Sequence, residues 1–213
     1  MVSTLHVHDL ILLRTESAVT SPEGEPACPR LTPNQRPWAV VRRGRILDEL
    51  IPVGVRGVQR HERCAGFTKL SEVVETRRPS QLRLRLAEDL RRGLQAFRSL
   101  SYLENHLVGL DMSWGPGGSV GYELASGIPT VRADSDLDFI LFAPRKLETT
   151  EAQDLWRMIS SAPGKVDALV ETPFCGFSLE EFATTLPRKI LLRTNDGRIL
   201  GSNPWHLSNG EDS

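Results

Sequence analysis

The stretch "WGPGGSVGYELASGIPTVRADSDLDFIL", residues 114–141, sets a glycine-rich turn beside aspartates spaced two apart. Asp138 stands among Leu137, Phe139, Ile140 and Leu141, where a carboxylate costs free energy unless something pairs with it. Alternate residues of a strand share a face, so Asp136 and Asp138 point together while Leu137 and Phe139 point toward a core. Two carboxylates on one face repel unless a cation lies between them. A hard divalent cation with oxygen ligands meets that need, and Mg²⁺ is the usual choice. Such a pair can bridge two ions that clamp a triphosphate for in-line attack. Alone, an Asp-x-Asp pair is more often an exposed strand face or an Asx turn. The upstream turn changes that balance: Gly118–Ser119 offers backbone N–H groups and a hydroxyl to phosphate oxygens, and Gly118 permits close approach.

Three other glycine motifs fit less well. Gly115 and Gly117 begin a dinucleotide fingerprint, but position 120 is Val and no clear strand precedes. A P-loop requires a Gly-Lys-Ser/Thr ending, and no lysine is present. Gly117, Ser119 and Gly121 spell G-x-S-x-G, yet "DMSW" is a poor core strand for a hydrolase elbow, although His206 could serve as its base.

Around these residues the chain reads as two regions, with a boundary near residue 80. In 1–80, "LHVHDLILLR", "WAVVRR" and "ELIPVGVRG" are strand-like, and 16–37, with five prolines, is a long loop. Arg56, Arg60 and Arg63 fall on one side of a helix predicted to start near Gln59, with Arg56 in the turn before it. They form either a solvated basic face or a site for pyrophosphate or an acidic partner. His6 and His8 could share a strand face, but no third metal ligand is evident. In 81–213, Leu90, Leu94, Phe97 and Leu100 make a helical stripe after Pro79 and Ser80. Thr150 with Gln153, and Ser178 with Glu181, resemble capping boxes. "VDALVET" is a strand, "KILLRT" and "RIL" form a hairpin about "NDG", and the tail "NGEDS" is disordered. Trp205 reads as a packing anchor. The expected fold class is mixed α/β (α+β): a small mixed sheet with helices, preceded by a smaller, mostly β N-terminal domain.

Composition removes other classes. Of 213 residues, 39% are hydrophobic and 25% charged, with net charge −1, which fits a soluble globular chain and argues against a general nucleic-acid binder. Residues 1–80 carry 12 Lys/Arg against 9 Asp/Glu (net +3), and residues 81–213 carry 14 against 18 (net −4). No signal peptide is recognisable, and "LILL" is too short to span a membrane. Three scattered cysteines without a CxxC pair fit a reduced, cytoplasmic compartment.

The Gly-Ser turn followed by hydrophobic-Asp-hydrophobic-Asp resembles the polymerase-β-type nucleotidyltransferase superfamily. Ser119 and Asp136 leave room between them for a short helix and a turn through Gly127 and Pro129. That resemblance implies a third carboxylate on a neighbouring strand, Asp167 or Glu171, with Asp167 preferred. "HDLILL", "PVGVRGVQRHERCAGF", the Gly-Ser turn with "SDLDF", "VDALVETP" and "LLRTNDGRILGSNPW" together resemble a narrower family, the malonate decarboxylase holo-acyl-carrier-protein synthases, or phosphoribosyl-dephospho-CoA transferases. The resemblance implies a triphosphoribosyl-dephospho-CoA donor and, as acceptor, a serine of the apo acyl-carrier subunit of malonate decarboxylase. The serine attacks the α-phosphorus and pyrophosphate leaves. Asp136 and Asp138 would ligate Mg²⁺, Gly118–Ser119 would hold the triphosphate, and Asp167 would help activate the serine. Asp134 would be an outer ligand or, preferably, the end of a loop. The alternatives are another small nucleotidyltransferase, the citrate lyase counterpart acting on a different carrier, or a non-catalytic binding module.

Overall fold

The computed structural model describes residues 5–21, 37–45, 49–57, 63–84, 87–184 and 189–206. It divides into two compact units, Met1–Gln81 and Leu82–Ser213, and its two sheets with helices make an α+β fold.

The first unit is a five-stranded sheet of β1 (Leu10–Leu13), β2 (Trp38–Val41), β3 (Leu50–Arg56), β4 (Arg63–Lys69) and β5 (Val73–Arg77). The strand order is β4-β3-β2-β1-β5, antiparallel throughout. Branched and aliphatic residues at alternate positions build its core: Ile11 and Leu13, Ala39 and Val41, then Ile51, Val53 and Val55. Strands β4 and β5 have no counterpart in the sequence reading. Their burial patterns lack apolar alternation; in β4 only Gly66 and Thr68 are buried. His6 and His8 precede β1 rather than sharing a strand face: His8 has φ 74°, and the His6 N–H donates to the buried Asp9 carboxylate at 2.9 Å. Most of the 16–37 loop, and the tail expected to be disordered, lie outside the described residues.

The second unit runs α1 (Gln95–His106), β6 (Ser113–Pro116), α2 (Gly118–Ser126), β7 (Leu137–Phe142), α3 (Thr149–Ser160), β8 (Val166–Glu171), β9 (Gly176–Ser178), α4 (Leu179–Thr184), β10 (Ile190–Thr194) and β11 (Gly197–Gly201). Its sheet order is β11-β10-β9-β8-β7-β6, and among the described residues only β7 and β8 pair in parallel, through the α3 crossover. Leu137, Phe139 and Leu141 are fully buried on one side of β7, with Val170, Phe177 and Ile159 in the same core class.

Three local expectations need correction. Helix α1 starts only at Gln95; Leu90 lies in a 3-10 turn and is fully exposed, so the buried stripe is Phe97, Leu100 and Leu103. Helix α3 begins before Thr150, after Glu148, with no side-chain cap, and Gln153 donates instead to the Ala183 carbonyl. Strand β6 exists, with Trp114 and Gly115 buried, where "DMSW" suggested none. The Ser178 cap forms: its Oγ accepts the Glu181 N–H at 3.3 Å. The Glu181 carboxylate turns instead to the Leu191 N–H, tying α4 to β10.

Candidate functional site

The turn from β6 into α2 is fixed on Asp138. The Gly117 N–H donates to the Asp138 carbonyl at 2.8 Å, extending the β6–β7 ladder one step past Pro116↔Phe139. Gly118 has φ +51°, and a Cβ there would sit 1.7 Å from Asp138 Oδ2. No other residue type fits without moving the carboxylate. Gly117 is nearly as constrained, since its Cβ would meet Ile140 Cδ1 at 2.8 Å. The bare backbone opening α2 therefore lies directly against a carboxylate. The first-turn N–H groups of the helix, which have no intrahelical acceptor, begin at that point, and the capping residue Gly117 has no side chain to satisfy them. Ser119, half-buried, is held through its carbonyl, which accepts the Thr130 hydroxyl at 3.0 Å.

The parallel pairing of β7 with β8 sets Asp138 directly beside Asp167. Asp136 lies one residue before β7 rather than within it. It is joined to the group by Lys165, whose ammonium stands 2.9 Å from Asp167 Oδ1 and 3.7 Å from Asp136 Oδ2. Asp167 first, then Asp136, holds the Lys165 ammonium above the ordinary lysine range. Sequence reasoning missed Lys165, though it sits two residues before Asp167 and so shares its face. Glu171 is buried at the far end of β8, its carboxylate against Gly176. Of the two candidates for a third carboxylate, Asp167 is the one beside Asp138. Asp134 is exposed in the turn closed by Arg132 N–H to Ser135 Oγ, at 2.9 Å.

Two contacts hold this end of the sheet. Pro163 and Gly164, just before Lys165, are tied to α1: Gln95 donates to the Pro163 carbonyl at 3.0 Å and Gly164 N–H to Ser99 Oγ at 2.9 Å. On the other side, buried Glu123 of α2 accepts the N–H groups of Thr130 and Val131 at 2.7 and 2.8 Å and both its oxygens accept from Arg91, one from Nε and one from Nη2. Arg91 also donates to the Val131 carbonyl at 2.7 Å. The segment from Gly127, left-handed at φ 73°, is thereby aimed back toward Asp136. Burial works to raise the Glu123 carboxyl, but Arg91 and the two backbone donors outweigh it and hold the group below its ordinary value.

Arg56 and Arg63 lie on strands, not a helix. They face each other across the β3–β4 pair, while Arg60 lies outside the described residues. Trp205 is a packing anchor: its Nε1 donates to the Ala143 carbonyl at 2.9 Å, and its ring meets Phe177 and Phe182 edge-on. Among the described residues, no three His, Cys, Asp or Glu side chains are grouped closely enough to hold a metal ion by themselves. No helix among them is long and apolar enough to cross a membrane.

The family models and relatives that match this chain carry a transferase name. The phosphoribosyl-dephospho-CoA transferase MdcG C-terminal domain matches residues 81–204, and the corresponding N-terminal domain matches residues 6–79. The chain belongs to this family. It is 34% identical over 207 residues to a phosphoribosyl-dephospho-CoA transferase of Pseudomonas aeruginosa, covering 96% of this chain and 95% of that one. It is also 34% identical over 208 residues to one of Klebsiella pneumoniae, covering 97% and 98%. No solved structure matches it.

Two outcomes follow from this geometry. Gly118→Ala should cost more stability than Gly127→Ala. Both glycines have positive φ, worth about 1–2 kcal/mol to a side chain, but only Gly118 has a carboxylate in the Cβ position, whereas Gly127 faces open space. Urea unfolding of the two variants measures the difference, and equal costs would contradict the close contact with Asp138. Because the Glu123 carboxyl is held low in the folded state, its contribution to stability is complete above the ordinary value of 4.5 and is lost as pH falls through the folded value. Glu123→Gln should therefore lower stability at pH 7 by about 1.5–3 kcal/mol and flatten the decline below pH 4.5. An unchanged acid limb in denaturant titrations would refute the assignment.

Proposed function

We propose that this chain transfers the phosphoribosyl-dephospho-CoA group from its triphosphate precursor to a serine of the small apo acyl-carrier subunit of malonate decarboxylase. The observation that carries the reading is the register of Asp138 beside Asp167, with Asp136 adjoining and the Gly118–Ser119 turn lying on Asp138. This is the arrangement expected of a polymerase-β-type nucleotidyltransferase, on a chain whose relatives carry the transferase name.

In this reading the Gly118 and Ser119 N–H groups and the Ser119 hydroxyl bind the leaving phosphates at the start of α2. The serine oxygen forms a bond to the α-phosphorus as the bond to the pyrophosphate oxygen breaks. Asp167 takes the serine proton, and the electron pair departs with pyrophosphate. Asp136 and Asp138 would hold Mg²⁺. Their hard oxygens suit it, and the Lys165 ammonium already bridging Asp136 and Asp167 marks this end of the sheet as a place where positive charge is stabilised. When bound, Mg²⁺ neutralises charge on the phosphates and orients them. Lys165 keeps Asp136 and Asp167 from splaying apart before substrate arrives. In the first unit, Arg56 and Arg63, with Arg60 between them in sequence, supply cationic forks for a pyrophosphate moiety or for acidic groups of the carrier. Among the described residues, buried Cys175 and half-buried Cys64 form no disulfide, in keeping with a cytoplasmic protein.

Asp136→Ala and Asp138→Ala should each reduce transfer, read as the mass gain of the carrier, by roughly 100-fold or more. Circular dichroism should remain that of the parent, since Asp138 is exposed and Asp136 is held by an exposed ion pair of little stabilising value. Undiminished transfer by Asp136→Ala would overturn the reading.

A further inference from the structure

The hairpin of β10 and β11 carries a feature the reaction above does not use. Arg193 and Arg198 are register partners, directly opposite one another, where side chains start about 4.5–5.5 Å apart and like charges destabilise the pair. Both are exposed. Among the described residues neither has an acidic partner or a side-chain hydrogen bond. The two-residue turn between Thr194 and Gly197 fixes the register, so the arginines cannot slide apart without unpairing the hairpin. A pair of guanidinium forks held together on a rigid ribbon, at a cost to folding, is preorganised for an anion with several oxygens.

Its direction is set by strand pairing. Arg193 pairs with Gly176, Gly176 with Glu171, and Glu171 with Phe142. Directly opposed residues share a face, as do alternate residues along a strand. Arg198 and Arg193 therefore lie on the same face of the sheet as Asp167 on β8 and Asp138 on β7. Glu171 stands in their row, two strands from Arg193, but its carboxylate is buried against Gly176. Four residues of strand and two strand spacings separate Asp167 from Arg193, on the order of 16 Å. The donor has phosphates at two places: the triphosphate that reacts, and the diphosphate within its dephospho-CoA part. One face thus presents a carboxylate end for the first and an arginine pair for an anion farther along.

We propose that Arg193 and Arg198 form a second anion subsite that binds the diphosphate of the dephospho-CoA portion of the donor. The proposal rests on the transferase reading above. It gives the second unit a means of holding the long, non-reacting part of the donor, which a turn and three carboxylates do not provide.

The test uses the full chain and Arg193→Gln/Arg198→Gln. Removing a like-charge pair should leave the melting temperature equal or higher, which establishes folding. Dephospho-CoA, which lacks the triphosphoribosyl group, is titrated calorimetrically into both proteins without divalent metal. The variant should bind it ~10-fold or more weakly, with the loss growing at low salt. In steady state, KM for the donor should rise by a similar factor with little change in kcat, and KM for the carrier should stay put. Equal dephospho-CoA binding by the two proteins overturns the subsite, as does a rise confined to the carrier KM, which would make the arginines a carrier-docking pair. If the parent transfers the group but shows no such difference, only the subsite fails. If the parent neither transfers the group nor binds dephospho-CoA, the transferase reading fails with it.

Discussion

The contact on which the second unit's site depends is that between the Gly117–Gly118 backbone and Asp138. A carboxylate on a strand buried on its other side could be placed in many ways. Here the backbone of the next element is pressed onto it, at a distance that leaves no room for a Cβ. One hydrogen bond, Gly117 N–H to the Asp138 carbonyl, fixes the height of the turn on the strand. The start of α2 and the start of β7 therefore move as a single piece. A phosphate drawn to the helix N-terminus is then necessarily beside the carboxylate, and no loop closure is needed to bring them together.

The rest of this end of the sheet manages the electrostatic consequence. Asp136, Asp138 and Asp167 concentrate negative charge at the start of the parallel β7–β8 pair. Lys165 offsets part of it from solvent, at little energetic gain because it is exposed. Its worth lies in geometry, since it draws the carboxylate just before β7 and the one on β8 toward a common point. The Arg91–Glu123 pair, more buried, has a different task. It closes the path from α2 to Asp136 by fixing Thr130 and Val131, and the Ser99 and Gln95 contacts do the same for the approach to Lys165.

Elements with strong local signals were legible in the sequence. Alternation revealed β7 and β8, short apolar runs bounded by turn residues marked β1, β2 and β3, and the short turn revealed the β10–β11 hairpin. The short helix and the turn through Gly127 between Ser119 and Asp136 were implied by the superfamily resemblance, for which the spacing left room. What escaped lacked periodicity or depended on partners distant in sequence. Strand β4 lacks apolar alternation, so the Arg56, Arg60 and Arg63 spacing mimicked a helix although Arg56 and Arg63 meet across the β3–β4 pair. Strand β6 is short and contains Gly and Pro; its pairing with β7, not its composition, makes it a strand. Leu90 completed a helical stripe by spacing, but the chain turns before Gln95 and leaves it in solvent. Glu123 gave no local signal, since its partner Arg91 lies 32 positions away; Lys165 had one in Asp167, two residues on, but its second partner, Asp136, is 29 positions away.

The central claim is that the site moves a phosphoribosyl-dephospho-CoA group and not a simple nucleotide. The most direct measurement incubates the protein with Mg²⁺ and apo-carrier, supplying triphosphoribosyl-dephospho-CoA or ATP as the donor in separate reactions, and weighs the carrier by intact mass spectrometry. The account predicts a carrier heavier by one phosphoribosyl-dephospho-CoA group, with one pyrophosphate released per carrier modified, from the first donor. Efficient nucleotidylation from ATP, with no transfer from triphosphoribosyl-dephospho-CoA, would contradict it.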